Sequence, residues 1–279
     1  MSSDQEDDQV AIVSFKMTSS TALASIIAAL LFEKKDAIGI LLFNQAGIRI
    51  VVDRVKSVQV RAYLKKELLD DYEVNETCEI RVNLSLIHRC LTIFTDKSVN
   101  IEMAYTGHGH PLVFLLEDQG VVTECKINTL EPVPVTDFSF RSCTIINRAI
   151  VKSCYLRDAL LEMDVPGSQS IEIQMSPTYP HVKFTSISVF ARCEFVLPNE
   201  PDIFPVLSCE KQATFQYSIH LIRPTMKALC MAEQTNIRMN SQGMLLLQHS
   251  IRGSEHNHIK NWIEFTICPQ VQDQDPFQL

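Results

Sequence analysis

The sequence predicts an α+β protein made of two similar domains in tandem, and three observations predict it. Its 279 residues exceed one ordinary domain of about 150 and suffice for two separate cores. Apolar alternation of period two gives way to helical spacing twice in each half, in the shared order strand, helix, strands, helix, strands. Between the halves, residues 128–136 carry Pro132 and Pro134, which cannot donate to a strand ladder and so mark an extended connector. The predicted domains are residues 1–127 and 137–269, with 128–136 between them and 270–279 a flexible tail.

In chain order, alternation over residues 10–16 predicts a strand. Residues 18–32 change to helical spacing, with Ala22, Leu23, Ile26, Ile27, Leu30 and Leu31 on one face. The hydroxyl run Thr18, Ser19, Ser20, Thr21 supplies that helix with an N-cap. Residues 38–43 and 48–52 predict a hairpin around the 44–47 turn, with a further strand over 55–64. Residues 84–94 are helical again, and strands over 99–105, 111–116 and 121–127 are broken at Gly107 and Gly120. The second half predicts a strand within 138–151, a helix over 153–163 and strands over 170–176, 181–187 and 189–196. A loop with Pro198, Pro201 and Pro205 precedes a helix over 219–231, and strands around Ile237, 244–251 and 262–267 end the pattern.

Composition removes several function classes. No apolar run reaches the roughly 20 residues that span a bilayer, and the N-terminus lacks the basic-then-apolar order of a signal peptide. Nine scattered cysteines, odd in number and without a C-x-x-C pair, predict a reducing intracellular compartment with buried free thiols. The sequons at Asn75 and Asn83 are then irrelevant. A net charge of -8 argues against coating nucleic acid with the whole surface but allows a local basic strip.

The second helix of each half is amphipathic. In 84–94, Leu84, Ile87, Leu91 and Phe94 share one face, and Ser85, His88, Arg89 and Thr92 the other. In 219–231, Ile222, Met226, Leu229 and Cys230 oppose His220, Arg223 and Lys227, with Pro224 tolerated if the first turn begins near Ile222. Such faces are either solvated surface or the contact for a phosphate backbone.

Several separated motifs then carry a family resemblance. Phe43-Asn-Gln-Ala-Gly-Ile-Arg-Ile-Val-Val-Asp, Val82-Asn-Leu-Ser-Leu, His181-Val-Lys-Phe-Thr-Ser and Trp262-Ile-Glu-Phe-Thr-Ile-Cys-Pro resemble corresponding parts of the eukaryotic sliding clamps. Gly107-His-Gly-His-Pro-Leu, Gly120-Val-Val-Thr-Glu-Cys-Lys-Ile-Asn-Thr-Leu-Glu-Pro and Pro224-Thr-Met-Lys-Ala-Leu resemble the Rad-one family of subunits of the heterotrimeric DNA-damage checkpoint clamp. The likeness runs from about residue 10 to 269.

The resemblance implies the DNA-clamp fold: in each domain, antiparallel sheets outside and two helices facing the hole of a ring. It implies a nuclear, non-catalytic subunit that joins a Rad-nine-like and a Hus-one-like subunit around double-stranded DNA, is opened by a checkpoint clamp loader, and needs no cofactor or metal. The positions matching hole-facing cations are Arg89, Arg157, His220, Arg223 and Lys227. The first helix contributes none, and Lys34 and Lys35 lie beyond its end; DNA contact is expected to lean on the second half. Subunits of this family join by pairing edge strands, matched here by residues 121–127, with Val121, Val122 and Cys125, and 189–196, with Val189, Ala191 and Cys193. The connector is either a tether or a dock for partner peptides.

Two other classes stay open on the residues alone. A metal-dependent exonuclease needs converging carboxylates, and Asp70, Asp71, Asp137, Asp158, Glu162 and the acidic stretch 4–8 show no recognisable ligand spacing. His108 with His110, and His256 with His258, lack a second ligand pair. No Walker loop, G-x-G-x-x-G or G-x-S-x-G occurs. A protein scaffold without DNA contact also fits the net charge.

Overall fold

The computed structural model describes residues 10–32, 37–54, 56–94, 99–252 and 260–271. The chain divides into two units, Met1–Val52 with Tyr63–Val135, and Asp53–Ala62 with Thr136–Leu279. Every strand pairing given below is antiparallel.

The first half begins with β1 (Val13–Met17), α1 (Ser20–Leu30), β2 (Ile38–Asn44), β3 (Gly47–Arg54), β4 (Val58–Lys65) and β5 (Asp70–Val74). It continues through β6 (Cys78–Asn83), α2 (Leu84–Leu91), β7 (Asn100–Tyr105), β8 (Leu112–Asp118) and β9 (Val121–Ile127). One sheet runs in the order β5-β1-β7-β8-β9. In another, β2 lies between β3 and β6. The β2–β3 hairpin forms because Asn44 Oδ1 accepts from Ala46 N at 2.8 Å and Gly47 adopts φ +135, where an added Cβ would collide with the Leu64 carbonyl. Val13, Phe15, Ile101, Met103, Phe114 and Leu116 alternate into the core, together with Leu23, Ile27 and Leu30 of α1.

The second half contains β10 (Ile145–Lys152), α3 (Ser153–Met163), β11 (Ser170–Met175), β12 (Val182–Ile187) and β13 (Arg192–Leu197). Then come β14 (Val206–Cys209), β15 (Ala213–Ser218), α4 (Ile219–Ile222), α5 (Thr225–Met231), β16 (Ala232–Asn240), β17 (Leu245–Arg252) and β18 (Lys260–Ile267). Its sheets run β13-β12-β11-β15 and β14-β10-β16-β17-β18. Residues 53–62 belong to this unit for a visible reason. The buried Gln59 amide donates to Asp53 Oδ1 at 2.6 Å and to the Thr136 carbonyl at 2.7 Å, while Asp53 Oδ2 accepts from Thr136 N. Cys268 N reaches the Ser57 carbonyl.

Several expectations are corrected. β5, β6, β14 and β15 have no counterpart in the predicted strands, because short strands with charged outward residues such as Asp70-Asp-Tyr-Glu-Val give little apolar alternation. The strand expected within 138–151 starts only at Ile145, after a single 3-10 turn, Phe140–Ser142. Ser19 is the N-cap of α1, yet its hydroxyl meets Thr21 Oγ1 at 2.9 Å and caps no backbone amide. Ser20, completely buried, instead ties the helix to residue 99 through Ser20 N to Val99 O and Val99 N to Ser20 Oγ. All nine thiols are free, but only Cys90 is buried, and Cys154 and Cys230 are exposed. No helix among the described residues is long and apolar enough to cross a membrane.

Candidate nucleic-acid interface and subunit edges

In the first unit, α2 is fixed at both ends. Asn83 Oδ1 accepts from Ser85 N at 2.9 Å and Leu86 N at 3.2 Å, satisfying two amides that a helix start leaves unpaired. Thr92 Oγ1 donates to the His88 carbonyl at 2.8 Å at the other end, and the helix stops there, short of the expected residue 94. Leu84, Ile87 and Leu91 are buried as their spacing requires. Ser85, placed by spacing on the polar face, is also buried and accepts from Ala37 N. Arg89 is exposed, and no carboxylate holds it among the described residues.

In the second unit, the helix expected over 219–231 is two helices. Proline has no amide proton, so the ladder breaks at Pro224. Arg223 N still reaches the Ile219 carbonyl, and the buried Thr225 hydroxyl takes the Ile222 carbonyl at 2.7 Å. Ile222 and Leu229 pack inward as expected, but Cys230 points out and Ala228 takes a core position. His220, Arg223 and Lys227 are all exposed.

Exposure is not the same as available charge. Arg223 Nε lies 3.1 and 3.0 Å from the two Asp164 oxygens, and Nη2 lies 2.6 Å from Oδ1, a two-nitrogen grip on one carboxylate. His220 Nδ1 stands 3.4 Å from Arg223 Nη1. Arg157, on α3, places Nε and Nη2 at 3.1 and 3.0 Å from Asp158 Oδ1. These hydrogen bonds raise both guanidinium pKa values, so both arginines stay charged at any working pH. Asp158 was visible in sequence beside Arg157, whereas Asp164 gave no signal, standing 59 residues from its partner.

The edge positions divide similarly. Strand β9 lies where expected and pairs only with β8 among the described residues; Val121 and Val122 are 59% and 62% exposed. Cys125 turns half inward toward Cys90, whose own pKa is pushed up chiefly by burial. Among the described residues strand β13 pairs only with β12, and it starts three residues later than the expected residue 189. Val189 belongs to a tight turn in which Ser188 Oγ accepts from Phe190 N and Ala191 N, so Val189 and Ala191 are turn residues and Cys193 alone is on the strand. Arg192 and Lys183 flank Glu194, at 2.8 and 3.8 Å, and lower its pKa.

Among the described residues no three His, Cys, Asp or Glu side chains stand close enough to hold a metal ion. His256, His258 and the acidic stretch 4–8 lie outside those residues, as do Lys34 and Lys35.

The family model for repair protein Rad1/Rec1/Rad17 matches residues 12–251. The chain belongs to the Rad1/Rec1/Rad17 family. The cell cycle checkpoint protein RAD1 of Homo sapiens is 31% identical over 273 residues, covering 96% of this chain and 94% of the human protein. The DNA damage checkpoint control protein rad1 of Schizosaccharomyces pombe is 25% identical over 249 residues, 80% of this chain and 76% of that one. The DNA repair exonuclease REC1 of Mycosarcoma maydis is 26% identical over 183 residues, 54% of this chain and 39% of its own length. Two solved structures share the fold of this Rad1-family chain. A PCNA2–PCNA3 complex from Sulfolobus tokodaii matches with TM-score 0.76 at 15% identity, over 93% of this chain and 100% of that one. The proliferating cellular nuclear antigen of Entamoeba histolytica matches with TM-score 0.74 at 11% identity, over 94% and 100%. At such identities the likeness establishes the fold alone, and that fold is the tandem-domain clamp.

Proposed function

We propose that this Rad1-family chain is a non-catalytic checkpoint-clamp subunit. It joins a Rad-nine-like and a Hus-one-like subunit in a heterotrimeric ring around double-stranded DNA, in the nucleus, as a platform for checkpoint signalling and repair. The observation that carries the reading is the pair of open strands. Among the described residues β9 and β13 each end a sheet with no strand paired on the outer edge, and β9 also exposes two valines. Lone edges of this kind favour aggregation, and pairing with a neighbour's edge removes the liability. In this reading residues 1–127 and 137–269 are two of six ring segments, with 128–136 as their connector, and Val121, Val122, Cys125 and Cys193 lie at the joints.

The exposed helix cations suit a protein that slides. Phosphate contacts retain it on DNA, and without base-edge contacts no register is preferred. Arg89 is the first-rank contact, His220 and Lys227 lie on the exposed face of the second-half helices, and Arg157 and Arg223 are reduced by their carboxylates. A checkpoint clamp loader opens the ring. Co-expression with the two candidate subunits, followed by particle imaging, is expected to show a closed six-domain ring; a stable closed homotrimer of this chain alone would overturn the proposal. The name of the Mycosarcoma maydis relative supports a second reading, exonuclease activity. Metal-dependent DNA degradation that co-purifies with the chain and disappears on changing one carboxylate would establish it over the first.

A further inference from the structure

The outward face of the five-stranded sheet in the first unit has a composition that neither the core nor the joints account for. Register places Lys16 opposite Asp70 on β5 and Glu102 on β7; Glu102 lies opposite Leu115, and Leu115 opposite Glu124. In the next rows, Glu73, Ser14, Ala104, Val113 and Lys126 align, as do Asn100, Glu117 and Val122. With Asp71, which reaches Lys16 at 3.7 Å, the face holds six carboxylates and two lysines. That excess is half of the chain's net charge of -8.

The lysines do not balance it. Lys16 lies 3.1 Å from Glu102 and Lys126 lies 3.1 Å from Glu124, while Asp70, Glu73 and Glu117 have no ion-pair partner among the described residues. A merely solubilising surface would be charged throughout. This one is apolar in the middle: two adjoining hollows of about 310 and 460 Å³ share Lys16, Glu102 and Leu115, with Ala104 and Val113 lining one and Val122 the other.

We infer that this hollowed face docks an extended segment of another protein that alternates basic and apolar side chains along one side. Same-side residues of an extended peptide repeat every ~6.6 Å, the spacing of same-face residues along the underlying strands, so charge and apolar positions can register with the rows. Lysine or arginine stems lie over Val113 and Leu115 while their heads reach Glu73, Glu102 and Glu117. Charge complementarity supplies orientation and association rate, and the apolar floor limits how far salt weakens the contact. The inference does not depend on the ring.

The test uses the full chain and a fluorescein-labelled peptide, Lys-Ser-Val-Ser-Lys-Ser-Val-Ser-Lys, read by anisotropy. Saturable binding is expected. Combining Glu73→Gln, Glu102→Gln and Glu117→Gln should weaken it at least tenfold, and replacing the peptide valines with serine at least threefold. Glu200→Gln with Glu210→Gln, in the second unit, should change it less than twofold. Absent saturation, an unchanged triple variant, or equal loss in the control variant overturns the inference, the last by showing only bulk charge attraction. Should the triple variant melt early, Glu117→Gln alone carries the same test with about a threefold loss.

Discussion

The second helix of the first half and its counterpart in the second share one design and differ in how it is executed. Helix α2 is continuous, capped by Asn83 on two amides, and shows Arg89 to solvent with no carboxylate on it among the described residues. The counterpart breaks at Pro224, is bridged by the Thr225 hydroxyl, and has its central arginine gripped by Asp164. The difference teaches that cations on a helix face cannot be counted from that helix. By sequence the second half has four candidate cations to the first half's one, yet Arg157 and Arg223 are held by carboxylates of their own unit. The expected lean of DNA contact toward the second half shrinks accordingly.

The largest expected effect concerns what the two helices have in common. Ile87 and Leu229 are 1% and 2% exposed, so truncating either to alanine should cost about 3 kcal/mol, read by urea melts. A loss below about 1 kcal/mol at Leu229 alone would mean that the broken helix is only loosely docked. The next separates the units by pH. His249 is completely buried, its Nδ1 2.9 Å from Thr235 Oγ1, and desolvation lowers its pKa to about 3 from 6.5. The unfolded chain binds a proton below pH 6.5 and the folded one does not, so stability is full above 6.5 and falls as pH drops toward 3. At pH 5 the loss from this group is about 2 kcal/mol. His88, His108 and His110, the first unit's described histidines, all reach solvent. Melts at pH 8 and pH 5 should differ less for His249→Gln than for the parent; an equal difference would place the acid sensitivity elsewhere.

What the sequence made legible follows from the range of each interaction. The helix α3 and the strand β9 match the predicted residues because local periodicity alone sets them. The clamp fold was legible through motifs rather than periodicity. Long-range facts were not: Asp164 meets Arg223 across 59 residues, and Gln59 meets Thr136 across 77. The displacement of Val189 from strand to turn had a local cause, the Ser188 hydroxyl collecting two amides, but alternating apolar residues outweighed that signal in reading 189–196 as one strand.

Two smaller effects sharpen the contrast between free and engaged groups. Arg89→Gln should weaken DNA retention of the assembled complex about fivefold at low salt and reduce the salt slope by about 0.9, whereas Arg157→Gln should change retention less than twofold. Equal losses would show that Asp158 gives way to phosphate. For the caps, Asn83→Ala should cost about 1 kcal/mol, while Ser19→Ala, whose hydroxyl caps no amide, should cost at most a few tenths. Thermal melts of the two variants measure the difference.

The smallest effect addresses the engaged arginine directly. Asp164→Asn keeps the side-chain shape and removes the charge that holds Arg223. Both partners are more than a third exposed, so the exchange should cost less than about 1 kcal/mol of stability. If Arg223 faces the DNA backbone, the freed guanidinium gains a phosphate: retention should rise about twofold, and the plot of log affinity against log salt should steepen by about 0.9. Adding Arg223→Gln to Asp164→Asn should then return both values to those of the parent. A gain that survives that second substitution would come from lost repulsion by Asp164 rather than from Arg223. An unchanged slope in Asp164→Asn would mean that Arg223 points away from phosphate, leaving Arg89, His220 and Lys227 as the cations of the two helix faces.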